Sequence, residues 1–207
     1  MKHRCVQSLV VFLPLALAIS AFAQNIPPTP GLITFTSPDG SFRFSYPDIL
    51  IRCELQQSGD AYSWAQPECS SYHPVCNAAP SPDGPVVCLA YPRNEHTRSD
   101  TFEAAVFSVG EGNESEKECS GEQKIKDIVI RGVKFKGFAS GDGGMSESRS
   151  SRAYVAFHNG KCYGLAITVA MADPQAFDPP AKELPKSDWT AINRALEQAR
   201  DSFQFLH

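Results

Sequence analysis

The sequence offers little that reads as a known catalytic frame. It holds no C-x2-C and no H-x3-H pair, whereas structural zinc sites draw on ligand pairs about two to four residues apart. It has no G-x-S-x-G elbow and no S-x-x-K, so two common serine-nucleophile frames are missing. Basic residues are in deficit, 19 against 23 acidic ones, and no basic cluster gathers them. That argues against nucleic acid or an anionic membrane as a partner. No apolar run after the first 23 residues approaches transmembrane length, and no repeat of fixed period is present.

What is there begins with an export signal over residues 1–23. Lys2 and Arg4 form its basic region, residues 9–19 its apolar run, and Ala21-Phe22-Ala23 an A-x-A cleavage site. The mature chain would start at Gln24, secreted or periplasmic and free of the membrane once the signal is removed. It keeps six cysteines, Cys53, Cys69, Cys76, Cys88, Cys119 and Cys162. An even count in an exported chain reads as a disulfide framework, with fifteen connectivities open to six cysteines. The expectation is a Cys119–Cys162 link, with the other four paired among themselves.

Residues 152–170 organise the rest. Two runs rich in β-branched and aromatic residues flank Asn159-Gly160, a strong signal for a two-residue type I′ hairpin. That turn pairs Phe157 with Cys162, Val155 with Gly164 and Ala153 with Ala166. The other face carries Tyr154, Tyr163, Leu165, Ile167 and Val169. Both faces are largely apolar, which predicts a sheet covered on both sides. The small residues Gly164, Ala166 and Ala170 predict close packing, most simply of a helix.

Residues 24–31 are a Pro-rich lead-in. A second hairpin follows, with Ser37-Pro38-Asp39-Gly40 as its turn and Phe42, Phe44 and Tyr46 inward against Arg43 and Ser45 outward. Residues 53–88 hold four cysteines, five prolines and almost no periodicity, which predicts a cross-linked irregular insertion ending in the buried strand of residues 85–91. Residues 102–109 read as a strand, with a helix over 100–107 as the alternative. Residues 110–123 read as an acidic surface loop, and Arg131-Gly132 as the turn of a third hairpin. Residues 140–151 read as a flexible connector. Trp189, Ile192, Leu196, Ala199 and Phe203 then trace one face of a helix capped by Ser187 or Asp188, with Asn193, Glu197 and Arg200 toward water. This helix is the expected cover for the small-residue face.

Phe35-Thr36-Ser37-Pro38-Asp39-Gly40-Ser41-Phe42-Arg43-Phe44-Ser45-Tyr46-Pro47 resembles the first hairpin of PsbP-like domains. The closing amphipathic helix, running into Asp201-Ser202-Phe203-Gln204-Phe205, is similar to that superfamily's last helix. The resemblance implies an α+β domain over residues 32–207, an antiparallel sheet between helices, here with the Cys-rich insertion 53–88. It also implies a partner-binding rather than catalytic role.

Together these readings point to an exported non-catalytic binding or accessory module with a protein or small-molecule partner and no cofactor. The alternatives are an exported hydrolytic or thiol- or metal-dependent enzyme, and a secreted protease inhibitor presenting residues 70–77. The expected contact surface is Tyr62, Trp64, Tyr72 and His73 on the cross-linked insertion, since aromatics on rigid loops make good anchors. The competing expectation is that Trp64 fills a mini-core between disulfides.

Overall fold

The computed structural model describes residues 31–58, 61–64, 69, 72, 76, 85–93, 99–121, 123–144 and 146–206. Its frame is a seven-stranded sheet in the order β3-β6-β7-β11-β10-β9-β8, every neighbour antiparallel. These strands are β3 (Ile51–Cys53), β6 (Pro85–Ala90), β7 (Phe102–Gly112), β8 (Gln123–Ile130), β9 (Val133–Gly143), β10 (Glu147–His158) and β11 (Lys161–Ala172). A smaller sheet joins β1 (Leu32–Thr36), β2 (Phe42–Pro47) and β12 (Gln204–Phe205). Two short strands, β4 (Leu55–Ser58) and β5 (Ala61–Trp64), pair within the insertion, and α1 spans Lys186–Asp201.

The turn chemistry explains the hairpins. Asn159 and Gly160 sit at φ 47° and 82°, and Arg131 and Gly132 at 47° and 84°. Two successive positive φ angles are what a type I′ turn requires, and they match the twist of the strands on either side. The β10–β11 register follows: Phe157 faces Cys162, Val155 faces Gly164 and Ala153 faces Ala166. Arg131 accepts the strained conformation because Gly132 completes the turn between two long strands. In the first hairpin Ser37 Oγ and the Ser41 N–H and Oγ all donate to Asp39, and Gly40 N–H donates to Ser37 O at 2.9 Å.

One face of the large sheet builds the main core. Phe107, Val109, Leu165, Ile167, Tyr154 and Phe135 point to it, and Phe42, Phe44, Ile192, Leu196 and Phe203 close over it from β2 and α1. Its rings interlock: Phe42 stacks on Phe203 at 5.2 Å, while Phe44 meets Phe107 edge-on at 5.4 Å. Burying each such side chain contributes roughly 1.5–3 kcal/mol, and a well-placed ring pair about 0.5–1.5 more.

Several expectations need correction. The helix covers the aromatic face, not the small-residue one, because Ile192, Leu196 and Phe203 find area to bury only against large side chains. The small-residue face, with Ala104, Val106 and Ala170 and with Cys53 and Cys88 of β3 and β6, packs against Cys69, Tyr72 and Cys76 of the insertion. These three residues cover the face that the helix was expected to cover. Residues 102–112 are strand throughout, so the helical alternative fails. The supposed connector at 140–151 is ladder: Ser148, Arg149, Ser150 and Ser151 pair with Gly143, Asp142, Gly141 and Ser140. Polar residues there form strands because neighbouring β11 supplies the pairing partner. The acidic excursion begins only after Gly112, where β7 ends. Helix α1 starts at Lys186, with Pro185 at its N-cap in an extended conformation and no side-chain cap. Arg200 does not point to water; it is buried, its guanidinium 5.3 Å from the Tyr154 ring and its Nε donating to Asp201 at 2.7 Å.

Candidate functional site

The insertion is anchored at both ends. Cys53 on β3 bonds to Cys69, and Cys88 on β6 bonds to Cys76, with Cα separations of 5.7 and 5.8 Å. Cys119 bonds to Cys162, fastening the acidic excursion to β11. All four insertion cysteines are wholly buried. Tyr72 is 4% exposed, and its phenolic oxygen accepts the Arg93 N–H at 3.0 Å. A ring so placed packs the insertion onto the sheet, so Tyr72 corrects the expectation of a surface anchor: it is mini-core. Tyr62 and Trp64 lie on β5, opposite Gln57 and Leu55 on β4, in a segment expected to be irregular. His73 lies outside the described residues.

A cleft of about 480 Å³ opens elsewhere, between the β2–β3 turn and α1. Pro47, Ile49 and Tyr91 line it on one side, and Ser187, Thr190, Ala191, Arg194, Ala195 and Gln198 of α1 on the other. Leu50 N–H donates to Pro47 O at 3.0 Å, a tight turn that pushes Ile49 outward to 40% exposure. Ala191 and Ala195 lie one helical turn apart, and their small side chains leave the space. Tyr91 forms the inner wall, held by its N–H to Ala105 O at 2.9 Å. Burial raises its phenol pKa, and the nearby Asp188 carboxylate adds to the shift, so the hydroxyl stays protonated and able to donate. The apolar rim continues onto β1, where Leu32, opposite Pro47, is 56% exposed. The dimensions suit a small apolar ligand or an inserted side chain.

Sequence reading missed this cleft. The i, i+4 alanines on α1 and an isoleucine inside a turn were visible signals, but their juxtaposition needed the turn to lie against the helix. Other titratable side chains are scattered over the fold. His158 stacks on Phe205 with ring centres 4.0 Å apart. Glu111 accepts from Lys161 at 3.2 Å, and Glu118 accepts from Ser115 at 2.7 Å, so the acidic run is tied into local contacts. Glu103 lies beside Glu147; burial and that like charge raise its pKa against the pull of Arg93 and Arg149. Among the described residues no group of three or more His, Cys, Asp or Glu side chains is arranged to hold a metal ion.

Three disulfides fit an extracellular or periplasmic protein. Among the described residues no helix is long and apolar enough to cross a membrane. No family model and no curated protein matches the chain. Some solved structures are similar to it, at low identity and with TM-scores below 0.5. One is from Bacteroides thetaiotaomicron VPI-5482, at 11% identity and a TM-score of 0.45, over 86% of this chain and 50% of that one. This chain thus spans half the length of that protein. Another is cyanobacterial PsbP (CyanoP) from Synechocystis sp. PCC 6803, at 10% identity and TM-score 0.39, covering 89% and 98% of the two chains. A third is LpqN, involved in cell envelope biogenesis of Mycobacterium tuberculosis, at 9% identity and TM-score 0.40, covering 86% and 91%. No binding or activity transfers through likenesses of this degree.

Proposed function

We propose that the protein is an exported binding or accessory module that works without catalysis and holds an apolar group of its partner in the cleft beneath α1. The observation that carries this reading is the cleft itself. Pro47, Ile49, Ala191 and Ala195 line it together with the buried Tyr91 and with Arg194. Such a lining gains from burying an apolar group and can fix its orientation by a hydrogen bond from Tyr91. The pairing of Cys53, Cys69, Cys76, Cys88, Cys119 and Cys162 supports the same reading, because a disulfide sulfur is neither a thiolate nucleophile nor a zinc ligand.

The test is a thermal-shift screen of small apolar alcohols, acids and short apolar peptides against the protein and an Ala191→Trp variant that fills the cleft. Ligands that raise the melting temperature of the first and not of the second support the reading. Equal shifts in both place the binding elsewhere. Turnover of a chromogenic ester, amide or glycoside by the purified protein sinks the non-catalytic part.

A further inference from the structure

Cys53 and Cys88 stand directly opposite each other across the β3–β6 pair, yet each is bonded to a different cysteine. Opposed residues on antiparallel strands project to the same face, with Cα atoms about 4.5–5.5 Å apart, inside the span a disulfide bridges. The four cysteines share one buried cluster with Tyr72, Ala90, Ala104 and Val106. Two disulfides therefore lie side by side, their strand-borne ends adjacent and held in register by the ladder.

We propose that these four cysteines form a thiol–disulfide exchange site whose reactant is a dithiol reductant and whose two-electron product is a Cys53–Cys88 disulfide. The reductant's thiolate attacks Cys69 Sγ, breaking the Cys53–Cys69 bond and releasing Cys53 as a thiolate. The reductant's second thiol then resolves the mixed disulfide, leaving Cys69 as a thiol and the reductant as its cyclic disulfide. Cys53 Sγ attacks Cys88 Sγ, a new S–S bond forms, and Cys76 leaves as a thiolate that takes up a proton. Two electrons and two protons pass from the reductant to the protein. Of the insertion's two disulfides one remains, now between the strands, and Cys69 and Cys76 are thiols. The first attack, on a wholly buried sulfur, is the slow step; the second is fast because Cys53 stands opposite its target in the ladder and no second solution thiol is needed. The consequence is mechanical: one reducing event frees both tethers of the insertion, while its base between β3 and β6 stays stapled.

A Cys69→Ser/Cys76→Ser double variant tests the geometry directly, by intact mass after alkylation without reductant. The expected result is no adduct, with peptide mapping showing a Cys53–Cys88 link; alkylation of both Cys53 and Cys88 overturns the proposal. If that variant fails to fold, the unaltered protein treated with one equivalent of dithiothreitol and quenched in acid decides. Adducts on Cys69 and Cys76 with a linked Cys53–Cys88 peptide support exchange. Adducts on Cys53 and Cys69 with Cys76–Cys88 intact, or on Cys76 and Cys88 with Cys53–Cys69 intact, overturn it.

Discussion

The two faces of the seven-stranded sheet are covered by different physics. The aromatic face is closed by β2 and α1, whose Phe42, Phe44, Ile192, Leu196 and Phe203 bury large side chains against large side chains. The opposite face offers Ala90, Ala104, Val106 and Ala170, too little apolar area to hold a layer by burial alone, and there the cover is fastened by two disulfides. A third disulfide fastens the neighbouring patch of Cys119, Phe138, Val155 and Cys162. Where side chains are large, solvent exclusion holds the layer; where they are small, covalent bonds take over. Cys69, Tyr72 and Cys76 pack directly on that face of small residues, so adding bulk there is also harmful.

The sharpest way to test that contrast is to remove one large ring. Phe107→Ala empties a wholly buried site against the Phe44 ring, and the expected loss is about 3–5 kcal/mol, read by urea denaturation. A loss below 1 kcal/mol would mean that the aromatic face is not what holds the fold. Next in size is removal of the Cys119–Cys162 bond by a double serine substitution, expected to cost about 2–4 kcal/mol in the same experiment. Ala170→Leu should overpack the small-residue face and cost about 1–3 kcal/mol, with lost hydrogen-exchange protection in β3 and β6 before β10. Unchanged stability would show room beneath the insertion and break the comparison.

The smallest effect concerns acid. Burial alone would raise the Asp39 pKa, but donors from Ser37 and Ser41, with Lys161 nearby, hold the carboxyl well below the usual carboxylate range. A folded-state pKa below the unfolded one makes the ionised form a native-state contribution. It is fully present above about pH 4 and is lost as pH falls through the folded value. The Asp39 side chain is 45% exposed, so solvent screening keeps that contribution within about 1 kcal/mol. Asp39→Asn should therefore lower stability slightly at pH 7 and flatten the loss between pH 4 and pH 2, as measured by denaturation midpoints. An unaltered acid slope would remove the first turn from the account.

Legibility differed by kind of signal. Asn159-Gly160 and Arg131-Gly132 declared their turns because few residues tolerate positive φ, and a two-residue loop leaves one register between its arms. The alternation of Phe42, Phe44 and Tyr46 declared an inward face for the same reason of period. Residues 140–151 did not declare a strand, because Ser, Gly and Asp prefer turns and only pairing with β11 beyond them holds them extended. Arg200 falls on the face that periodicity gives to water, because helical periodicity locates a face but not the Tyr154 ring at its edge. The cleft was illegible as a unit: Ile49 and Ala191 are far apart in the chain, and no local pattern links them.

By itself, then, the sequence determined the hairpins, the apolar stripe of the closing helix and the supply of cysteines for cross-linking, because each depends on residues close together in the chain. Only the tertiary structure decided which face of the sheet the helix covers, which cysteines meet, and where a cleft is left open. Those outcomes depend on matching volumes between distant segments: large rings drew the helix to one side, and the small residues left on the other admitted a layer held by sulfur.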